Sequence, residues 1–240
     1  MTTKIKVAGC VIEAECIYNY FNLLSDNYRT DEPADFHVKI SPEDIEEGKE
    51  SFKAHNTTEV PADKKIEVFA LHKKVCELLL ERDVFFMHGA AIAVNGEGYV
   101  FTAKSGTGKT THILKWLRQC PDAFVVNGDK PFISVSGIPM VCGTPWAGKE
   151  EMQTNTIVPL KAIIMLQRSD DNRFEKISPI EAFPRLLESV YFPDDEGKQK
   201  KTLALIQRLN PTVEYWRFHC NNFKDDCFDI AYKTLVEDHK

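Results

Sequence analysis

The sequence predicts an α/β domain built on a mixed β-sheet, and two observations lead to this fold class. Short apolar runs of strand length are interspersed with longer segments of helical period along the 240 residues, rather than segregated from them. Two pairs of apolar runs are also joined by short glycine-containing turns, which predicts antiparallel hairpins. A sheet that contains hairpins and strands separated by helices is mixed rather than purely parallel.

Length and composition bound the function. The chain is 43% hydrophobic and 28% charged, as is usual for a soluble globular protein, and its length fits one large domain or a core with a satellite. A formal net charge of −6 argues against nucleic acid as a partner. No run approaches the roughly 20 apolar residues of a membrane span, so no membrane partner is expected. The N-terminus lacks the apolar stretch of a signal peptide.

The seven cysteines are odd in number, and no two have CxxC spacing. This pattern argues against a disulfide scaffold and against a zinc ribbon. The histidines likewise show no metal-ligand spacing with the cysteines. Free thiols in a reducing compartment are the simplest interpretation, and we therefore expect a cytoplasmic protein.

Residues 1–65 are predicted to form a small N-terminal α+β portion. Loose alternation indicates one or two strands in residues 4–17 and another strand in 34–40. Ser41 and Pro42 resemble the start of a capped helix, and a polar stretch then extends to about Asp63. The rest of the chain, 66–240, is predicted to be the main domain, and the two portions could also pack as one compact unit.

The first half of the main domain has clear local signals. Apolar residues at helical spacing predict a helix over 66–82, and a short strand follows at 85–87. Asn95-Gly96 between the apolar runs 90–94 and 99–103 predicts a hairpin, because this dipeptide tolerates the positive φ angles of a tight turn. A helix is predicted over 109–119.

The second half continues the alternation. A strand at 123–127 is followed by a second hairpin, whose strands 132–135 and 138–142 flank Ser136-Gly137. Residues 178–181, Ser-Pro-Ile-Glu, form a capping box that opens a helix to about Tyr191. The remaining predicted elements are a strand at 158–167, a helix at 198–209, a strand at 213–219 and a helix at 225–236.

Residues 103–110 read Ala-Lys-Ser-Gly-Thr-Gly-Lys-Thr and match the phosphate-loop pattern GxxxxGK[ST] except at the first position. A strand precedes the loop and a helix follows it, so backbone amides and the helix N-terminus would face an anion. The pattern predicts a nucleoside triphosphate, ATP, together with Mg²⁺; the alternative is a glycine-rich turn that happens to precede Lys-Thr. The residues predicted to bind the nucleotide are Ser105, Gly106, Thr107, Gly108, Lys109, Thr110 and Thr111.

Three residues are predicted to carry the chemistry: Asp129, Lys109 and His88. Lys109 would reach the β- and γ-phosphates, while the Thr110 hydroxyl and Asp129 would be the metal ligands, because Mg²⁺ prefers hard oxygen donors. Asp129 follows an apolar strand, and its alternative role is that of a turn residue. His88 ends a short strand before the loop, and its alternative role is structural.

These residues resemble the bacterial HPr kinase/phosphorylase family and the nucleotide site of phosphoenolpyruvate carboxykinases. The resemblance is carried by His88-Gly89, the first hairpin, residues 105–111 and residues 127–130, and it covers roughly 85–142. It implies a P-loop fold of the carboxykinase C-terminal type with a mixed sheet. It also implies ATP, Mg²⁺ and phosphoryl transfer to a hydroxyl of a protein, peptide or small molecule, and family members are often homo-oligomers.

HPr kinases carry two adjacent aspartates after the strand that follows the loop, one as general base or acid and one for the metal. This sequence has Gly128-Asp129 there, so one carboxylate remains. The leading hypothesis is an ATP- and Mg²⁺-dependent kinase in which Asp129 or His88 activates the acceptor hydroxyl. The alternatives are a nucleotide-binding regulatory protein without catalysis and a phosphorylase that uses inorganic phosphate.

Overall fold

Strands and helices are interspersed along the chain, as the sequence predicts. The structure is a computed structural model that describes residues 1–54, 60–104, 106–209 and 212–237. Within these ranges twelve β-strands and seven α-helices form one small and one large sheet with their covering helices.

The small sheet is N-terminal and has three strands in the order β1-β2-β3. Its strands are β1 (Thr2–Val7), β2 (Cys10–Glu15) and β3 (Phe36–Lys39). β1 and β2 form an antiparallel hairpin, whereas β3 runs parallel to β2. A short helix, α1 (Tyr20–Leu24), lies in the connection from β2 to β3 and was not predicted.

The helix α2 (Pro42–Ala54) begins where the capping residues predict it. The Ser41 N–H donates to the Asp44 carboxylate at 2.8 Å, and the Asp44 N–H donates to the Ser41 hydroxyl at 3.4 Å. These two bonds satisfy amides that have no partner within the helix. Of the polar stretch predicted to follow, residues 55–59 lie outside the described residues.

The large sheet has nine strands and is mixed. Its strands are β4 (Val84–Phe86), β5 (Ala90–Val94), β6 (Glu97–Thr102), β7 (Phe124–Asn127), β8 (Phe132–Ser134), β9 (Met140–Cys142), β10 (Ile157–Arg168), β11 (Arg173–Lys176) and β12 (Glu214–Cys220). The order is β4-β8-β9-β10-β6-β5-β7, while β12 pairs with β10 and β11. β10 runs parallel to β6 and β12, and the other pairs are antiparallel.

The two predicted hairpins are confirmed. Asn95 and Gly96 have φ angles of 52° and 81°, so they form the two-residue turn that joins β5 to β6. β6 therefore begins at Glu97, two residues earlier than predicted. The edge strand β11 was missed, because most of its residues are exposed and it carries no alternating apolar pattern.

The remaining helices cover the large sheet. They are α3 (Asp63–Leu79), α4 (Lys109–Gln119), α5 (Pro179–Ser189), α6 (Glu196–Gln207) and α7 (Cys227–Tyr232). Leu186 of α5 and Ile206 of α6 pack in one apolar cluster, whereas Trp116 of α4 and Phe228 of α7 pack in another. No helix in the described part of the chain is long and apolar enough to cross a bilayer.

A third apolar cluster joins the small sheet and α3 to the large sheet, where Phe132 and Trp146 contribute to it. Buried side chains from both sides of the boundary predicted between residues 65 and 66 therefore pack together in this cluster. The division into two domains stays a prediction. The Trp146 indole N–H donates to the carbonyl of Val68 in α3 at 3.3 Å.

His72 of α3 lies in this third cluster, and burial lowers its pKa to about 3, with a smaller contribution from Lys130. Its ring centroid lies 4.8 Å from that of Phe86 and 5.0 Å from that of Trp146. The unfolded chain binds a proton near the ordinary value of 6.5, so stability is lost as the pH falls from 6.5 towards 3. We expect His72 alone to lower the free energy of unfolding by about 2 kcal/mol at pH 5.

Urea unfolding at pH 7 and pH 5 checks this expectation. The substitution His72→Phe should remove most of the difference between the two pH values, because the titrating ring is gone. The exposed His37 provides a matched control, His37→Phe, which should leave the difference intact. If wild type and His72→Phe lost the same free energy of unfolding between pH 7 and pH 5, the assignment would be contradicted.

Candidate functional site

The predicted strand, glycine-rich loop and helix are all present. β6 ends at Thr102, and α4 begins at Lys109. Gly106 and Gly108 have φ angles of 75° and 110°, a region that favours glycine, so both are required for the turn. Thr107 closes the loop on itself, since its N–H and its hydroxyl both donate to the Lys104 carbonyl, at 3.2 Å and 2.7 Å. Ser105 lies outside the described residues.

The Lys109 amine folds back over the start of the loop. Nζ donates to the Ala103 carbonyl at 3.1 Å and lies 3.3 Å from Nε2 of His88. Burial lowers the pKa of Lys109, the Arg185 charge lowers it further, and Asp129 opposes both. The half-buried amine is therefore held close to the loop, where it can bind an anion.

His88 joins Lys109 to Asp129. Its Nδ1 lies 3.4 Å from the Asp129 carboxylate, while its Nε2 faces the Lys109 amine. An ammonium group can only donate, so Nε2 is the acceptor and the ring hydrogen sits on Nδ1, towards the carboxylate. Burial lowers the pKa of His88, Asp129 opposes this effect, and nearby cations including Lys109 and Lys130 add to it.

The backbone fixes this arrangement. The His88 N–H donates to the Ser189 carbonyl at 2.6 Å, and the Gly89 N–H donates to the Asp129 carbonyl at 3.1 Å. The strand end that carries His88 is thus bonded directly to the turn that carries Asp129.

Asn127 shapes the turn that carries Asp129. Its side-chain oxygen accepts from the N–H groups of Asp129, at 2.9 Å, and Lys130, at 2.6 Å. Its amide donates to the Thr144 carbonyl at 3.0 Å, and the residue is fully buried. Such an Asx turn holds the carboxylate in one place, so Asn127 is a positioning residue.

The loop 143–149 packs against Asp129. Gly148 has a φ angle of 75°, and a Cβ atom there would lie 2.8 Å from the Asp129 Cβ. Only glycine fits at this distance, so the loop closes one side of the carboxylate. On the other side, Lys130 donates to Asp129 at 2.5 Å.

The predicted metal ligands are hard oxygen donors and suit Mg²⁺ chemically. Thr110 is the second residue of α4 and is half-buried, whereas the neighbouring Thr111 is exposed. Both Asp129 oxygens already face partners, the His88 imidazole and the Lys130 amine, so a bound cation would compete with those contacts.

A cleft of about 470 Å³ borders the loop. Its polar lining residues are Lys104, Thr107, Gln167, Arg168, Glu181, Arg185, Glu188 and Arg217. Arg168 donates to the Gly106 carbonyl and thereby ties the cleft to the loop. Arg185 pairs with Glu188, and Arg217 pairs with Glu175 at 2.7 Å. The volume lies in the range of small-molecule sites.

Comparison with known proteins gives a distant structural likeness and no sequence match. No family model matches the chain, and no curated protein matches it. Among solved structures, the chain is similar to the HPr(Ser) kinase/phosphatase from Coxiella burnetii, with 13% sequence identity and a TM-score of 0.38. The match covers 64% of this chain and 89% of that chain. A likeness of this size carries no functional argument.

Sequence reasoning missed two features of this region. Asn127 belongs to the Asn-Gly-Asp turn, and its preference for Asx turns was a usable signal. Arg217 enters the cleft from β12 because that strand runs beside β10. No local pattern indicates this, since the pairing is a long-range property.

Proposed function

We propose that this protein is an ATP- and Mg²⁺-dependent phosphotransferase that phosphorylates a hydroxyl group of a protein, a peptide or a small molecule. One observation carries the proposal: Lys109, His88 and Asp129 come from three separate segments and form a continuous chain of contacts beside the glycine-rich loop. A lysine, an oriented imidazole and a carboxylate are the groups that phosphoryl transfer to a hydroxyl requires.

The loop would bind the triphosphate. Gly106 and Gly108 place the backbone in the turn that precedes α4, and the N-terminus of this 11-residue helix favours negative charge. The Lys109 amine lies within reach of the same space. Mg²⁺ bound by Thr110 and Asp129 would neutralise charge on the phosphates.

His88 would be the general base. Asp129 holds the ring hydrogen on Nδ1, so the Nε2 lone pair is directed towards the loop. In the absence of nucleotide, Nε2 accepts from Lys109. Once the lysine turns to a phosphate, that lone pair is free to take the proton of an acceptor hydroxyl.

Calorimetric titration of ATP with and without Mg²⁺ tests the proposal. We expect Mg²⁺ to strengthen binding to wild type, and Asp129→Ala to lose this dependence because a metal ligand is removed. Asp122→Ala, at an exposed aspartate before β7, is the matched control and should keep it. A wild-type protein that binds no nucleotide would refute the proposal.

The second candidate is a regulatory protein that binds a nucleotide but catalyses no reaction. It is favoured by the tight pairing of Lys130 with Asp129, which is the only acidic residue in 127–130. A Cβ at Gly128 would meet its nearest atom, the Met152 carbonyl oxygen, at 3.4 Å, which is ordinary van der Waals contact.

The substitution Gly128→Asp separates the two candidates. If the second candidate holds, wild type binds ATP without transfer, and Gly128→Asp gains transfer because a second carboxylate enters the site. The variant Gly128→Asn, of equal size but uncharged, should gain nothing. Measurable transfer by wild type to any hydroxyl acceptor would exclude the second candidate.

A further inference from the structure

A buried cluster of two thiols and one imidazole lies behind the glycine-rich loop. Cys220 ends β12, Cys227 begins α7, and His112 lies in the first turns of α4. The two sulfur atoms are 3.4 Å apart, and Cys227 Sγ is 3.7 Å from Nδ1 of His112. All three residues are buried, and the proposed phosphotransfer uses none of them.

The hydrogen bonding of His112 decides against a metal ion here. The Trp116 indole N–H donates to Nε2 of His112 at 3.1 Å. An indole nitrogen can only donate, so Nε2 supplies the lone pair and Nδ1 carries the hydrogen. Metal binding through Nδ1 would require the tautomer with its hydrogen on Nε2. The Nε2–H group would then point at the indole N–H group of Trp116, and neither could accept. The cysteines and histidines show no metal-ligand spacing in the sequence. The cluster is instead a pair of thiols beside a hydrogen-bond donor, the Nδ1–H group of His112.

Asn222 connects this dithiol to the loop. Its side-chain oxygen lies 3.2 Å from Cys220 Sγ and 3.5 Å from Cys227 Sγ. Its amide donates to the Gly108 carbonyl at 3.2 Å, and this is the carbonyl that accepts the His112 N–H. The Asn222 side-chain oxygen also lies 3.3 Å from Nδ1 of His112. The last glycine of the loop is therefore supported by a side chain that the two thiols and the imidazole together hold in position.

We propose that Cys220 and Cys227 form a redox-active dithiol that hydrogen peroxide oxidises reversibly to a disulfide, and that the disulfide weakens the support that Asn222 gives to the loop. The Cys227 thiolate attacks one peroxide oxygen and becomes a sulfenic acid, releasing water after proton uptake. The Cys220 sulfur then attacks the sulfenic sulfur, forming the S–S bond and releasing a second water. Two thiols are oxidised, and one peroxide is reduced to two waters.

The surroundings favour Cys227 as the attacking group. The Cys220 thiol and, to a smaller extent, the His112 ring stabilise its thiolate and lower its pKa, while Cys220 is correspondingly held in the thiol form. The intervening segment lies at the surface, and Phe223 within it is 97% exposed, so the segment has room to move.

Closing the bond changes the support of the loop. A disulfide brings its sulfur atoms to about 2.05 Å, so the pair must approach from its present separation. The one S–H hydrogen of the pair, on Cys220, is lost in the reaction, so no thiol remains to donate to the Asn222 oxygen. Asn222 lies between the two cysteines in the chain and is shifted when they approach. The Asn222 oxygen then keeps only its contact with His112, and the hydrogen bond from Asn222 to Gly108 is weakened.

Peroxide treatment followed by denaturation, alkylation and mass spectrometry tests the chemistry. We expect the oxidised protein to carry two fewer alkyl groups than the reduced protein, peptide mapping to join Cys220 to Cys227, and dithiothreitol to reverse the change. Cys120→Ala, at another buried cysteine of the same apolar cluster, should behave like wild type, whereas Cys220→Ala should not form the bond. If Cys220→Ala does not fold, Cys227→Ser is used in its place as the variant that lacks one of the two thiols.

Two results would overturn the dithiol: peroxide-treated protein without a Cys220–Cys227 bond, or stoichiometric zinc that is lost in Cys220→Ala. Hydrogen exchange of residues 106–112 tests the link to the loop without nucleotide. Faster exchange in the oxidised protein supports it, and unchanged exchange overturns it.

The effect on nucleotide binding rests on the proposed function. Oxidised wild type should bind ATP about three- to tenfold more weakly than reduced protein, the usual effect of one lost hydrogen bond. Cys220→Ala should show no such change. A reduced protein that binds no ATP would refute the phosphotransferase, while the mass and exchange measurements would still decide the dithiol.

Discussion

Replacing Lys109 with alanine should lower the affinity for ATP by at least about 100-fold, because charge-assisted hydrogen bonds to phosphate oxygens are lost. The amine lies over the glycine-rich loop, 3.1 Å from the Ala103 carbonyl, and no other lysine of the motif is placed in this way. Calorimetric titration of Mg-ATP into wild type and Lys109→Ala measures the effect.

The folded state should survive this substitution. Burial lowers the pKa of Lys109, which means that the folded protein disfavours its charged form. Removing the amine should therefore leave the melting temperature near that of wild type. Lys200→Ala, at an exposed lysine of α6 that pairs with Glu196, is the control and should bind ATP normally. Unchanged affinity in Lys109→Ala would exclude the loop as the phosphate site.

The second large effect is expected from His88. The substitution His88→Asn should lower the rate of phosphoryl transfer by about 10²- to 10⁴-fold, the usual contribution of a general base, with ATP affinity largely retained. The reason is that Asn keeps a polar side chain beside Asp129 but cannot accept a proton. Single-turnover transfer from labelled ATP, measured beside calorimetric affinity, separates the two quantities.

The pH profile provides a sharper test of the same assignment. A base works when unprotonated, so activity should be lost as the pH falls through the pKa of His88, which burial holds below its ordinary 6.5. Asp129 raises that pKa, so Asp129→Asn should move the acid limb of kcat/KM to lower pH.

The matched control for these changes is the exposed His37, whose Nδ1 lies 3.3 Å from Glu13 in a second imidazole–carboxylate pair. The substitution His37→Asn should alter neither the rate nor the profile. A profile that is unchanged in His88→Asn would show that another group is the base.

Elements specified by neighbouring residues could be predicted from the sequence. The first hairpin follows from Asn95-Gly96, and the helix α5 follows from the capping box at Ser178, because these preferences are set by a few adjacent residues. The order of strand, glycine-rich loop and helix is local in the same sense. The binding and catalytic roles assigned to Lys109, His88, Thr110 and Asp129 stay predictions.

Features that depend on contacts between distant segments emerged only in the folded chain. The exposed strand β11 has no apolar pattern and exists because β12 offers it a partner. Asn127 acquires its positioning role from the loop 143–149 that folds onto it.

The clearest contrast within this protein is between the glycine-rich loop and the dithiol behind it. The loop is encoded in consecutive residues, since φ angles and helix initiation are properties of the local backbone. His112 and Cys227 are 115 residues apart, and the histidines show no metal-ligand spacing with the cysteines. They meet because β12 pairs with β10 and delivers α7 against α4, a long-range arrangement that sequence periodicity does not encode.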